Sequence, residues 1–129
     1  MKYLCLIYYD EKVLDALTRE ALEALWREAE ASHRALTGSP GCLAAALEPS
    51  RDTITLRERG GKTFTTDGPF AETREQLGGL LLIDVEDLDD ALDIAARVPA
   101  ARFGSIEVRP VADLGHAQTA RTHREESGR

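Results

Sequence analysis

Paired cysteines, metal-ligand spacings, long apolar runs and an excess of positive charge are all missing from this chain, and each absence removes a class of function. The two cysteines, Cys5 and Cys42, lie in strand-like apolar segments. In a reducing compartment they read as small buried hydrophobes rather than a disulfide. No Cys-x-x-Cys or His-x-x-x-His spacing occurs, so no metal is expected. Apolar runs such as Leu80 to Ile83 fall far short of the roughly 20 residues that cross a bilayer. Met1 to Tyr9 gives way at once to Asp10, Glu11 and Lys12, which is not the pattern of a secretory leader. A cytoplasmic protein with no membrane partner is expected. There is no nucleophile elbow, phosphate loop or dinucleotide fingerprint, so covalent catalysis is unsupported and no cofactor is expected.

Lysine and arginine number 16 against 23 acids, a net charge of −7. Residues 112–129 hold equal numbers of each sign, so the whole excess sits on the body. A phosphate backbone is met by clustered cations, and a direct nucleic-acid partner is therefore not expected. At 129 residues, with 43% hydrophobic and 30% charged positions, the chain has the size and composition of one globular domain.

Most distinctive among the features present is Asp67-Gly68-Pro69-Phe70-Ala71-Glu72-Thr73-Arg74-Glu75-Gln76, followed by Leu77-Gly78-Gly79 and an apolar run. The segment holds four ionisable groups, Asp67, Glu72, Arg74 and Glu75, with an aromatic and a rigid proline, and glycines near both its ends. Loops held on a rigid scaffold carry function more often than the elements they join.

Around it the periodicity alternates between strand and helix. Lys2 to Tyr9 is apolar at nearly every position, which suits a strand covered on both faces. Leu22, Leu25, Trp26, Ala29, His33 and Leu36 recur at helical spacing, with Thr18 as N-cap and Gly38 as stop. Residues 11–17 add an extra turn before it. Cys42 to Glu48 forms a second strand, although its three alanines are poor strand formers. Residues 53–59 and 62–66 flank Gly60-Gly61, a hairpin signal. Gly79 to Val85 is another strand. Asp87 caps a helix running through Val98, ahead of Pro99. Ser105 to Val111 alternates, with Ile106 and Val108 one way and Glu107 and Arg109 the other.

Without the hairpin the order is strand, helix, strand, strand, helix, strand: two split β-α-β units, the ferredoxin-like α+β arrangement. Right-handed crossovers put both helices on one sheet face. The other face would then be bare yet apolar, and a homodimer packing sheet to sheet covers it.

The 67–79 segment resembles the signature of the DGPF branch of the YCII-related proteins. So do Lys2-Tyr3, Asp87-Leu88-Asp89-Asp90-Ala91-Leu92 and Gly104-Ser105-Ile106-Glu107-Val108-Arg109-Pro110-Val111. The similarity spans residues 1 to 112, and residues 113–129 read as a flexible tail. Lys is the commoner family residue where Arg74 stands, which keeps charge but changes hydrogen-bond geometry. The resemblance implies subunits that pair into a dimeric α+β barrel. It further implies either an enzyme with a His and Asp pair in a dimer-related pocket, or an accessory protein tied to extracytoplasmic-function sigma factors.

Applied to these residues, the reading places a small-molecule pocket between the sheet face and the 67–79 loop. His33 and Asp67 are its catalytic candidates, as acid/base and orienting carboxylate. Each has a plainer alternative: a core-edge histidine, and a turn aspartate capping its own backbone. Ligand-binding candidates are Phe70, Glu72, Arg74, Glu107, Arg109 and Tyr8. Arg74 is the best anion-binding fork, or with Glu72 and Glu75 an ordinary salt-bridge set on a helical turn. Tyr8 and Tyr9 point to opposite sides of the first strand, and whichever faces the barrel needs a partner for its hydroxyl. Phe70 roofs the pocket or fills the dimer interface.

Overall fold

A computed structural model describes residues 1–113, so the expected tail lies almost wholly outside the described residues. The elements run β1 (Lys2–Tyr9), α1 (Glu11–Asp15), α2 (Arg19–Thr37), β2 (Leu43–Ala46), β3 (Ile54–Arg59), β4 (Lys62–Asp67), β5 (Gln76–Asp84), α3 (Leu88–Ala96) and β6 (Ser105–Pro110). Short 3-10 turns lie at Ser50–Asp52 and Pro99–Arg102.

The boundaries follow local chemistry. Asp10, Thr18 and Asp87 accept from the amides of Lys12, Ala21 and Asp90 at 3.0, 3.1 and 2.9 Å, each satisfying a first-turn donor that the helix cannot. Gly60 and Gly61 both take positive φ, 59° and 78°, as the tight hairpin turn between β3 and β4 requires. The last helix stops at Ala96, two residues before the expected Val98. The amides of Arg97 and Val98 bond three residues back, to Ile94 and Ala95, the tightened pitch of a helix ending ahead of a proline.

Four strands form an antiparallel sheet in the order β2-β5-β1-β6, while β3 and β4 form a separate two-stranded sheet. This is a mixed α+β fold. Alternation along the strands sorts their residues onto two faces. Tyr3, Cys5 and Ile7 of β1 stand opposite Ile83, Leu81 and Gly79 of β5 and Pro110, Val108 and Ile106 of β6. That face is covered: Ala91 and Ala95 of α3 join Tyr3, Cys5, Leu81 and Ile83 in the core, with Leu36 of α2 packed against it. Burial pushes the Cys5 thiol above its ordinary range, which leaves it an unreactive core residue. On the opposite, open face lie Leu4 and Leu6, paired with Leu82 and Leu80 of β5 and with Arg109 and Glu107 of β6. Leu43 and Ala45 of β2 extend the same face.

Candidate functional site

The covered face is not filled evenly. Where α3 crosses, Ala91 and Ala95 are small enough for the helix to sit against the sheet. Beneath α2 small residues occur on both sides among larger ones such as Leu25 and Leu81: Ala29 and Ser32 of the helix, Ala44 and Ala46 of β2, and the Gly78-Gly79 pair of β5. Small against small leaves a gap, and a cavity of about 290 Å³ lies between α2 and the sheet. That is near the lower end of the roughly 300–1,000 Å³ usual for ligand pockets.

Aromatic side chains finish the walls. Tyr9 meets Phe103 edge to face, ring centroids 5.9 Å apart at 60°, a favourable quadrupole arrangement. Both line the cavity, as does Trp26, the single tryptophan. A Cβ on Gly78 would collide with the Tyr9 ring, so glycine there is what lets the ring lie across β5. Burial, and then the Glu11 carboxylate, raise the Tyr9 hydroxyl above its usual range; it stays protonated at neutral pH. Glu11 itself accepts from the amide of Ser50 at 2.8 Å and from the Ser50 hydroxyl, which pins the start of α1 to the turn after β2.

Polar groups gather on α2. Glu30, Ser32 and His33 line the cavity, with Glu30 and His33 exposed and Ser32 half-buried. Glu30 also pairs with Arg34 at 3.5 Å. A second contact joins the two walls: Arg102, on the turn following Pro99, meets Glu28 of α2 through two bonds of 2.7 and 2.8 Å. This bidentate fork holds the Glu28 carboxyl below its ordinary range and raises the Arg102 guanidinium.

The expected site residues fall into three places. His33 lines the cavity beneath α2, and Asp67 does not. Asp67 ends β4 opposite Ile54, and its neighbour Gly68 takes φ 93° while its amide bonds Thr53 O at 2.7 Å. The 67–79 loop touches the cavity only through Gly78 and Gly79, so this cavity lies under α2 rather than under the loop. Residues 70–75 hold two bends, at Phe70-Ala71 and Arg74-Glu75, and no helical turn. Phe70 is 80% exposed, Glu72 is exposed, and Arg74 pairs with the α1 cap Asp10 at 3.6 Å. Gln76 fastens the loop by donating to the carbonyls of Ala71 and Thr73 at 3.2 and 3.1 Å.

The third place is the open face. Tyr8 lies there beside Glu107 and Arg109. Burial and the Glu107 carboxylate, which accepts the phenol's hydrogen bond, raise the Tyr8 hydroxyl, and Arg109 lowers it in part. Ser105 next to them donates to Glu75 of the loop at 2.7 Å. Tyr8, rather than Tyr9, is thus the tyrosine that joins Glu107 and Arg109, on the other side of the sheet from His33. Among the described residues no cluster of three His, Cys, Asp or Glu is arranged to hold a metal, and no helix is long and apolar enough to cross a membrane.

Sequence reasoning passed over Trp26, Tyr9 and Phe103 as cavity walls, and over the Glu28–Arg102 fork. The available signal was the run of alanines in β2, facing Ala29 and Ser32 across the crossover.

Comparison with known proteins agrees with this architecture. The model of the YCII-related domain matches residues 1–115. An uncharacterised protein of Rhizobium meliloti (strain 1021) is 44% identical over 116 residues, covering 87% of this chain and 93% of its own length. In fold, the chain resembles 5-chloro-2-hydroxyhydroquinone dehydrochlorinase (TftG) of Burkholderia phenoliruptrix AC1100, solved in complex with 2,5-dihydroxybenzoquinone. The TM-score is 0.52 at 12% identity, over 90% of this chain and 98% of that one.

Proposed function

This chain belongs to the YCII-related family, and from that premise we propose that it binds a small hydroxylated ring compound beneath α2 and runs acid/base chemistry on it through His33. The observation that carries the reading is the cavity itself: largely carbon walls with three aromatic rings, and polar side chains limited to Tyr9 of β1 and to Glu30, Ser32 and His33 of α2. Such a lining desolvates a flat ring and leaves its hydroxyl edge to the polar side. Imidazole is the side chain best suited to move a proton near neutral pH. Glu30, one helical turn before His33, is the carboxylate that shares its cavity. The dehydrochlorinase's ring-shaped ligand lends the substrate class its chemistry.

The test is turnover of a panel of hydroxylated and chlorinated benzene rings. His33→Gln should lower kcat at least about 100-fold, the usual worth of a positioned acid or base. Unchanged kcat would overturn the role. Asp67→Asn serves as the contrast. It leaves turnover intact here, whereas loss with the fold preserved would restore the expected His33–Asp67 pairing.

The same proposal includes a homodimer of ferredoxin-like subunits that close a barrel between their open faces. Support comes from the half-buried Leu4, Leu6, Leu80 and Leu82, with Leu43 beside them at 57% exposure, a contiguous apolar surface of the kind that marks an interface. In such a dimer Tyr8, Glu107 and Arg109 line the space between subunits. A second reading needs binding without turnover: an accessory or sensing protein in extracytoplasmic-function sigma-factor regulation. A largely carbon-walled cavity with few polar groups is sufficient for that. Saturable binding with no product from any ring compound would favour it.

A further inference from the structure

The β3–β4 arm presents an unpaired surface with a distinctive chemistry. Its two strands pair with each other and with no strand of the four-stranded sheet, and all residues except Thr55 are exposed. A lone two-stranded ribbon is marginal in water unless something covers it. Cross-strand pairs share a side, so the register places Arg57 with Phe64 and Arg59 with Lys62 on one side of the ribbon. Phe64 is 54% exposed. That side is an aromatic ring beside three cations. The other side carries Ile54, Leu56, Glu58 and Asp67, and no cation.

Elsewhere on the chain lies a surface of the opposite kind. Residues 86–93 hold Glu86, Asp87, Asp89, Asp90 and Asp93 with no lysine or arginine among them. Beside the acids, Leu88 and Leu92 stand one turn apart, 47% and 46% exposed, while Ala91 and Ala95 take the buried side of α3. Repulsion from Asp87, then desolvation, then repulsion from Glu86, Asp93 and Asp89 raise the Asp90 carboxyl, and among the described residues no salt bridge engages these acids.

We propose that the Phe64 side of the arm of one copy docks on the acidic, leucine-bearing side of α3 of a second copy. The spacings agree. Arg57 and Arg59 are two strand residues apart, roughly 6.7 Å; Asp89 and Asp93 are four helical residues apart, about 6 Å along the axis. Phe64, opposite Arg57, then covers Leu88 and Leu92. Exposed ion pairs contribute little affinity singly, but a cationic patch meeting an anionic one selects the partner surface and orientation. Burial of the ring and leucines holds the contact. The acids also select which side of the arm docks, because Glu58 and Asp67 on the other side would be repelled. In a two-fold pair each copy gives an arm and receives one.

Charge reversal tests this. In sedimentation experiments at low ionic strength, on the order of 0.05 M, Arg57→Glu with Arg59→Glu should weaken self-association by roughly tenfold or more. Asp89→Lys with Asp93→Lys should do the same, and these substitutions leave the Asp87 cap in place. Mixing the two variants, or combining all four changes in one chain, should restore association. Unaltered association in the arm variant, or weakening that the reversed helix does not rescue, would overturn the proposal. A photoreactive benzoyl-phenylalanine placed at Phe64 gives an independent readout from isotopically mixed protein. Cross-links to residues 86–93 of a second copy are expected. A dimer that cross-links elsewhere, or within its own chain, would reject the arm contact while leaving the open-face dimer standing.

Discussion

The two faces of the four-stranded sheet are built from the same strands, yet they fail to pack for opposite reasons. On the covered face the helix is present, and small residues at Ala29, Ser32, Ala44, Ala46, Gly78 and Gly79 leave a cavity between larger neighbours. On the open face the side chains are large, Leu4, Leu6, Leu80 and Leu82, and the cover is missing. A pocket between helix and sheet, with exposed Trp26 and His33 in its wall, is a place for a small molecule. The leucine surface on the open face is where the proposed homodimer would meet. Alternation by one residue along β5 separates the two demands.

Leu81 and Leu80 sharpen that comparison most strongly. Leu81 is 2% exposed and sits in the core, so Leu81→Ala should cost about 2–5 kcal/mol in urea unfolding. Leu80→Glu, one residue along and on the open face, should instead leave the protomer folded and abolish self-association at micromolar concentration. If both changes acted alike, the division into two faces would break.

A medium effect is expected from filling the void. Ala29→Phe places a ring where the cavity is, and should change stability by less than about 1.5 kcal/mol while removing small-molecule binding measured calorimetrically. A large loss of stability would show that the space is already occupied by packed side chains.

The smallest effect concerns the fork that joins the cavity walls. Glu28 titrates below its ordinary range in the folded protein because Arg102 bonds its carboxylate. The stabilisation is therefore fully present above the ordinary glutamate range and fades as pH falls through the lowered folded value. Thermal unfolding of Glu28→Gln should match wild type in acid and fall slightly below it at neutral pH. Equal melting temperatures across both ranges would show that the fork contributes nothing.

Much of this architecture was legible in the sequence, because period and punctuation encode it. Thr18, Asp87, Gly60-Gly61 and Pro99 marked element ends by requirements local to their own backbone, and β1 was recognisable as a strand apolar on both faces. The cavity was harder to read. It depends on small residues meeting across space, Ala29 over Ala44 and Gly79, and alanines in a strand look like weak propensity rather than deliberate space. The ionisable loop drew attention through composition, but Arg74 is engaged with Asp10 and Gln76 with its own loop. Such contacts set loop shape, a tertiary matter that residue types alone do not reveal. Glu107 and Arg109 could be assigned to one side of the last strand because alternation fixes which residues share a side, whereas the choice between Tyr8 and Tyr9 was open in the sequence and depends on how β1 pairs with β6.

The most direct measurement uses Trp26, the chain's single tryptophan and part of the cavity wall. Its fluorescence, titrated with hydroxylated benzene rings, should show a saturable change in the wild type and none in Ala29→Phe. His33→Gln should bind with similar affinity while losing turnover. An identical fluorescence response in wild type and Ala29→Phe would contradict a ligand site beneath α2.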